Sequence, residues 1–126
     1  MLDGWIEMGL GPEQIYIVEP FAPTKEILCQ RDLKAVGSHI ELPSDLEPGI
    51  IIFAVKPQSM DGAAPVFARY SSPNTTFLSI AAGKTIAYFE KFFGTKAPIV
   101  RAMPNTPAAI RRGITVAVEN CNVSQD

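Results

Sequence analysis

The sequence has only one histidine and two cysteines among its 126 residues. Cys29 and Cys121 lie far apart without metal-ligand spacing, so we expect two free thiols in a reducing compartment and regard a disulfide as the less favoured alternative. No pattern of nucleophile partners surrounds His39, which we interpret as a surface loop residue. The composition therefore predicts neither a metal centre nor a nucleophile-based active site.

Basic charge and long apolar runs are also scarce. The net charge is -2 with a pI of about 5.4, and no basic patch suited to a phosphate backbone is present, so we expect no nucleic-acid partner. The longest apolar run, Ile50–Val55, is far too short to span a bilayer. No charged start followed by an apolar stretch marks a secretory signal. We expect a cytoplasmic protein without a membrane partner.

Short apolar runs alternate with helical patterns along the chain. This alternation predicts an α/β fold of the Rossmann type, with a mostly parallel sheet and flanking helices. The predicted strands are Ile15–Val18, Ala35–Val36, Ile50–Val55, Thr76–Ile80, Ile99–Ala102 and Ile114–Val118. The predicted helices are Met1–Met8, Thr24–Leu33, Ser59–Tyr70 and Thr85–Phe93, and Ser44–Leu46 is predicted to form a single helical turn. Thr24 and Thr85 are the predicted N-caps, and Gly94 closes the last helix. Pro65 must lie in the first turns of Ser59–Tyr70 or split that helix.

Three of the predicted strands end in short motifs. These are Val55-Lys56-Pro57, Ser79-Ile80-Ala81-Ala82-Gly83 and Arg101-Ala102-Met103-Pro104-Asn105-Thr106-Pro107. Ligands of open parallel sheets bind just beyond the carboxyl ends of the strands. The three motifs therefore predict one composite ligand site.

In this order and spacing, the motifs closely resemble those of the nucleotide-binding domain of pyrroline-5-carboxylate reductase. The resemblance extends from Met1 to Asp126, and its most specific part is Arg101–Pro107. It implies NADPH or NADH as cofactor and 1-pyrroline-5-carboxylate as the small-molecule substrate, which is reduced to proline. It also implies a homo-oligomer for the full-length family, whereas the oligomeric state of this chain stays open.

The resemblance assigns cofactor contacts to the first two motifs. Ala54, Val55, Lys56 and Pro57 would line the ribose and nicotinamide end of the cofactor, largely through backbone, with Pro57 stiffening the shelf. The alternative is an exposed lysine in an ordinary loop. The small residues Ala81, Ala82 and Gly83 would let the nicotinamide ring lie against the main chain, although such a sequence also suits a plain tight turn.

The third motif resembles a wall of the active site. Met103–Pro107 is predicted to form a stiff turn beside the hydride-transfer position, with Pro104, Asn105 and Thr106 as cofactor-binding residues. Asn105 would bond the carboxamide of the nicotinamide or a helical domain, and Thr106 would do likewise or cap the turn at Pro107. No residue is identified as a catalytic acid or base. Arg111-Arg112 is interpreted as a solvated pair.

Glu19 follows the second strand of the usual order. An acidic side chain there accepts hydrogen bonds from the adenosine ribose hydroxyls and repels the extra phosphate of NADPH, so Glu19 favours NADH. The equally weighted alternative is a solvated carboxylate at a strand end.

A Gly-x-Gly-x-x-Gly turn is missing from the sequence. Gly9-Leu10-Gly11 is rejected as a phosphate loop because Gln14 replaces the third glycine and no apolar strand precedes it. We therefore expect 1–126 to be a partial NAD(P)-binding domain without its first, central strand, and without the C-terminal helical domain of the family. That leaves a gap between the Ile15–Val18 and Ile50–Val55 strands, which the sheet closes, another chain fills, or a rearranged fold avoids; a misplaced gene start is a further explanation.

Three functional hypotheses follow. The first is an NAD(P)H-dependent pyrroline-5-carboxylate reductase, of which the isolated chain has negligible activity. The second is a non-catalytic or nucleotide-binding-only remnant, which the missing glycine turn favours. The third is a related hydroxyacid dehydrogenase, against which the intact Arg101–Pro107 motif argues.

Overall fold

The computed structural model describes residues 2–105 and 113–124. The chain divides into two compact units, Met1–Leu46 and Glu47–Asp126. Because Thr106, Pro107, Arg111 and Arg112 lie outside the described residues, the predictions made for them stay predictions. No helix in the described part of the chain is long and apolar enough to cross a membrane.

The first unit contains a two-stranded parallel sheet. Tyr16 pairs with Lys34 and Val18 with Val36, in a register that needs a crossover between the strands. A 3-10 turn follows at His39–Glu41, where the Ser38 hydroxyl accepts a hydrogen bond from the Ile40 amide at 3.4 Å. The helices and strands are α1 (Leu2–Glu7), β1 (Tyr16–Val18), α2 (Ala22–Cys29) and β2 (Lys34–Val36).

The glycine that follows α1 ends a helix. Gly9 has a φ of +101°, its amide donates to the Ile6 carbonyl, and the Leu10 amide donates to the Trp5 carbonyl, both at 3.0 Å. This is the Schellman pattern, in which the positive φ of a glycine directs two amides back to the last carbonyls of the helix. The rejection of Gly9-Leu10-Gly11 as a phosphate loop agrees with this geometry.

Two predictions in the first unit were wrong. Helix α2 begins at Ala22 with Phe21 as its N-cap, so Thr24 lies within the first turn and caps nothing. Pro23 starts this helix instead of preceding it, because proline is tolerated where an amide has no helical partner. Ser44–Leu46 forms a hydrogen-bonded turn but no helix, and the helical turn lies earlier, with His39 half-buried at its start.

The second unit contains a four-stranded sheet in the order β3-β4-β5-β6. The first three strands are parallel and β6 is antiparallel to β5. Helices and 3-10 turns connect the parallel strands, which confirms the predicted mostly parallel α/β architecture. The elements are β3 (Ile50–Phe53), α3 (Met60–Ala63), β4 (Thr76–Ser79), α4 (Ile86–Phe93), β5 (Ile99–Pro104) and β6 (Thr115–Glu119).

An aromatic core covers one face of this sheet. Phe77 is paired with Ile51 and Ile99 in neighbouring strands, and its ring stacks on Phe93 of α4 with centroids 3.8 Å apart. Each such buried phenylalanine contributes about 1.5–3 kcal/mol. The buried cluster comprises Phe53, Met60, Ala64, Phe77, Ala81, Phe89, Phe93, Ala97 and Ile99. Helix α4 has the predicted Thr85 cap, whose hydroxyl accepts from the Tyr88 amide at 3.2 Å, and ends at Gly94.

The chain between β3 and β4 is not one helix. A 3-10 turn at Pro57–Ser59 leads into α3, and a second 3-10 turn at Pro65–Tyr70 follows. Pro65 causes the split because it has no amide to donate and its ring clashes with the carbonyl four residues earlier. Strand β3 also ends at Phe53, two residues before the predicted end.

Each unit has its own sheet within residues 2–105 and 113–124: β1 pairs with β2 in the first unit, and β3 to β6 pair in the second. The gap expected between the Ile15–Val18 and Ile50–Val55 strands stays a prediction.

Candidate functional site

The carboxyl ends of β3, β4 and β5 meet at one edge of the second unit. Phe53 pairs with Ser79, and Ser79 pairs with Arg101, so β3 and β4 end side by side while β5 continues to Pro104. Segments 54–59 and 80–85 leave from this edge, and Asn105 follows β5. The structure thus brings together the described residues of all three predicted motifs.

The first segment presents mainly backbone. Ala54, Val55 and Lys56 are exposed, and the Lys56 carbonyl accepts from the Ser59 amide at 2.9 Å in the turn that Pro57 begins. Lys56 has a φ of −62° and a ψ of 144°, the extended conformation that a following proline favours. The result is a rigid shelf beyond β3.

A buried serine fixes the second segment. Ser79 is 1% exposed, and its hydroxyl accepts a hydrogen bond from the Ala81 amide at 3.2 Å. Ala81 is buried, whereas Ala82 and Gly83 are exposed. Gly83 has a φ of +72°, and no atom lies within 4 Å of the position that a Cβ would take there. This segment is therefore a small-residue surface with open space beside Gly83, and the positive φ there is one that glycine adopts without strain.

The third segment differs from the predicted turn. Met103 and Pro104 continue β5 and pair with Val116 and Thr115, so the Met103–Pro107 turn prediction was wrong for its first two residues. Antiparallel pairing with β6 extends the strand past the apolar residues that marked it. The side-chain oxygen of Asn105, Oδ1, accepts a hydrogen bond from the Ile114 backbone amide at 3.0 Å. The side-chain nitrogen of Asn105, Nδ2, stays a donor.

Arg101 is the most unusual polar group at this edge. Its Nε and Nη1 are buried, and neither finds a hydrogen-bond partner among the described residues. Burial lowers the pKa of Arg101. Burying guanidinium nitrogens without an acceptor is costly. Nε and Nη1 of Arg101 are therefore donors that no acceptor among the described residues satisfies.

Glu19 belongs to the first unit and directly follows its first strand. Its amide donates to the Val36 carbonyl at 2.8 Å, which places it directly at the carboxyl end of β1. One carboxylate oxygen accepts from the Phe21 amide at 2.9 Å, at the start of α2. The interpretation of Glu19 as a ribose-binding residue stays a prediction.

Two residues of this edge were missed as site residues by sequence reasoning. Ser79 and Arg101 were part of the quoted motifs, but no role was given to either. The signal for Ser79 was present, because a serine two residues before a small residue at a strand end commonly bonds the backbone. No sequence signal distinguishes a buried arginine without a partner from a solvated one.

The second unit also has a groove away from this edge. A shallow groove between residues 71–73 and 93–97 lies at the amino ends of β4 and β5, opposite the three segments. Among the described residues no group of three His, Cys, Asp or Glu side chains could hold a metal ion. Cys29 and Cys121 are free and exposed.

Known proteins that resemble the chain share one function. It is 32% identical over 125 residues to the pyrroline-5-carboxylate reductase of Pseudomonas aeruginosa, with 98% of this chain and 45% of that protein covered. The corresponding protein of Synechocystis is 30% identical over 120 residues, covering 95% of this chain and 44% of that protein. No protein-family model matches the chain.

Solved structures agree with the sequence matches. A pyrroline-5-carboxylate reductase from Coxiella burnetii superposes with a TM-score of 0.84 at 25% identity, covering 97% of this chain and 45% of that one. By sequence and by fold, this chain matches part of the pyrroline-5-carboxylate reductases. The resemblance inferred from the motifs and the Rossmann-like fold class are confirmed. The chain spans less than half the length of these relatives.

A third match carries a ligand. The pyrroline carboxylate reductase of Plasmodium falciparum, solved with NADP bound, superposes with a TM-score of 0.62 at 31% identity and covers 74% of this chain and 34% of that one.

Proposed function

We propose that this chain supplies part of the cofactor site of an NAD(P)H-dependent pyrroline-5-carboxylate reductase, which reduces 1-pyrroline-5-carboxylate to proline. The observation that carries the proposal is the meeting of three strand ends whose sequences match the motifs of that family. NADP bound to the Plasmodium falciparum relative supports a nicotinamide cofactor.

The described residues would act by holding and orienting. A bound nicotinamide cofactor would supply the hydride for the imine carbon of the substrate. The shelf at Ala54–Pro57 and the small residues Ala81–Gly83 would hold the nicotinamide end through backbone, and Pro104 and Asn105 would form the neighbouring wall. Such fixed orientation of two reactants is a large source of rate acceleration.

No described residue of this edge is assigned as a catalytic acid or base. The cations there are Lys56, Lys84 and Arg101, and burial lowers the pKa of Arg101. The proton that accompanies the hydride would therefore come from solvent or from groups beyond those described here. We expect negligible turnover from the purified chain alone.

The experiment is calorimetric titration of the purified chain with NADPH and with NADH, paired with a reductase assay on pyrroline-5-carboxylate. Micromolar binding of either cofactor is the expected outcome and supports a cofactor site. A folded chain that binds neither would overturn the proposal, and measurable turnover would contradict the expected inactivity.

A second candidate is a domain that binds a nucleotide without catalysis. The observation that favours it is the missing Gly-x-Gly-x-x-Gly sequence among the 126 residues. The two candidates diverge when the chain is mixed with the remaining part of a relative such as the Pseudomonas aeruginosa enzyme: restored turnover identifies a reductase part, and binding without turnover favours the second candidate.

A further inference from the structure

Three polar side chains connect the chain segments that follow β3 and β4. Asp61 lies in α3, whereas Lys84 follows Gly83 directly and Tyr88 lies in the first turn of α4. One oxygen of Asp61, Oδ1, accepts hydrogen bonds from Lys84 Nζ at 3.1 Å and from the Tyr88 hydroxyl. We call these three side chains the polar clasp.

Each side chain of the polar clasp contacts the other two. Lys84 Nζ lies 4.2 Å from the centroid of the Tyr88 ring, so the ammonium contacts both the carboxylate and the aromatic face. The Lys84 side chain is 19% exposed, while that of Asp61 is 73% exposed. The hydrogen bond from Tyr88 and the neighbouring ammonium lower the pKa of Asp61, and burial together with that carboxylate raises the pKa of Tyr88 to about 12. Asp61 is therefore ionised and Tyr88 neutral at neutral pH.

The position of the clasp matters more than its strength. The segment Ile80–Gly83 contains small or apolar side chains, so polar contacts at its two ends determine where its backbone lies. At one end the buried Ser79 hydroxyl holds the Ala81 amide, and at the other end Lys84 reaches to α3. Helix α3 itself continues from the Pro57–Ser59 turn.

We propose that Lys84 is a positioning residue that, through Asp61 and Tyr88, sets the distance between the Ala54–Pro57 shelf and the Ala81–Gly83 surface, and thereby the affinity for the nicotinamide end of the cofactor. The inference rests on the proposed function, since it assigns a role at that same site. Lys84 touches α3 and the Tyr88 ring, so it acts on the cofactor through the segments it joins.

A purely structural role predicts a different result. Exposed ion pairs contribute little to stability, so loss of the clasp should shift the unfolding midpoint by less than about 3 °C. Misplacement of a binding surface, by contrast, weakens the ligand that needs that surface. An effect on binding without a comparable effect on unfolding therefore separates the two roles.

The test compares NADPH with ADP-ribose 2′-phosphate, called ADP-ribose below, which lacks only the nicotinamide. Both ligands are titrated into the unchanged chain and the variants Lys84→Met, Lys84→Arg and Tyr88→Phe, with Lys96→Met as a matched control. Lys96 is an exposed lysine near the opposite edge of the sheet. We expect Lys84→Met to weaken NADPH about five-fold or more, a typical coupling between sites, and to leave ADP-ribose within about two-fold. Lys84→Arg should restore most of the affinity, because a guanidinium also pairs with a carboxylate.

Four outcomes would overturn the inference. Equal weakening of both ligands by Lys84→Met indicates a general structural role, and unchanged NADPH binding shows that the clasp does not position the site. An unchanged chain that folds but binds no NADPH refutes the proposed function and, with it, the positioning role. If the unchanged chain binds NADPH but not ADP-ribose, the two ligands cannot be compared and Lys84→Arg becomes the test. Failure of Lys84→Arg to restore NADPH affinity counts against the inference.

Discussion

Replacing Ser79 with alanine tests whether the small-residue segment beyond β4 is held by a single buried hydrogen bond. Ser79 is 1% exposed and Ala81 is 4% exposed, so the Ala81 amide has no route to water when the hydroxyl is removed. A buried donor left without a partner costs about 1–3 kcal/mol. The removed oxygen is small, so the cavity left behind adds little.

For a unit of this size each kcal/mol corresponds to about 4–8 °C in unfolding midpoint. Ser79→Ala should therefore lower the midpoint by at least about 4 °C in a thermal melt followed by circular dichroism. The control is Ser59→Ala, an exposed serine in the same unit that caps its helix without a side-chain hydrogen bond. We expect that variant to stay within about 0.5 kcal/mol of the unchanged chain.

Cofactor binding provides the second readout for Ser79→Ala. If the segment holds the nicotinamide end, its loosening should weaken NADPH more than ADP-ribose. A melt identical to that of the unchanged chain would refute the reasoning, because it would show that the Ala81 amide finds another acceptor at no cost. A lower unfolding midpoint with unchanged NADPH affinity would show that the hydrogen bond stabilises the fold, and it would contradict a role for that bond in the cofactor site.

Four further predictions concern other parts of the chain. Gly83→Ala places a Cβ at a φ of +72° and should cost about 1–2 kcal/mol by denaturant unfolding, although nothing crowds the site. Arg101→Met removes a buried cation without a described partner, so we expect unchanged or raised stability in the same assay, and a large loss would reveal an acceptor. Glu19→Ser should raise the ratio of NADPH to NADH affinity by about ten-fold, or about 1.4 kcal/mol, in calorimetry. Tyr88→Phe should lower the free energy of unfolding by a constant amount between about pH 5 and 9, and this loss should vanish in acid. The pKa of Asp61 is lower in the folded chain than in the unfolded chain, where it is about 4, so the contact stabilises the fold above that pH and stops doing so as the pH falls.

The sequence predicted most of the fold because its strands are short apolar runs with clear ends. Strand β4 and helix α4 lie where the pattern placed them, since Thr85 and Gly94 are strong local signals for a helix start and end. The errors fall where local signals compete with context. Pro23 was read as a helix breaker although the first turn of a helix accepts it, whereas the split at Pro65 was one of the two alternatives predicted.

The candidate site was predictable to a similar degree and for a related reason. A surface built from backbone needs residues that are small or conformationally special, and such residues are visible in the sequence as Ala-Ala-Gly and Lys-Pro. Strand parallelism then brings their positions to one edge. The pairing of Met103 and Pro104 with β6 was not predictable, because it depends on a partner strand that follows later in the chain.

What the sequence could not predict is how that backbone is held. Ser79 acts within its own segment, but the polar clasp joins residues from different segments, and no pattern in either segment indicates the other. A site lined by small side chains has few contacts of its own that fix its shape, so its geometry must depend on supporting residues of this kind. Substitutions at Ser79 and Lys84 should therefore change cofactor affinity more than substitutions at the exposed Ala82, whose side chain is free to vary as long as the backbone stays in place.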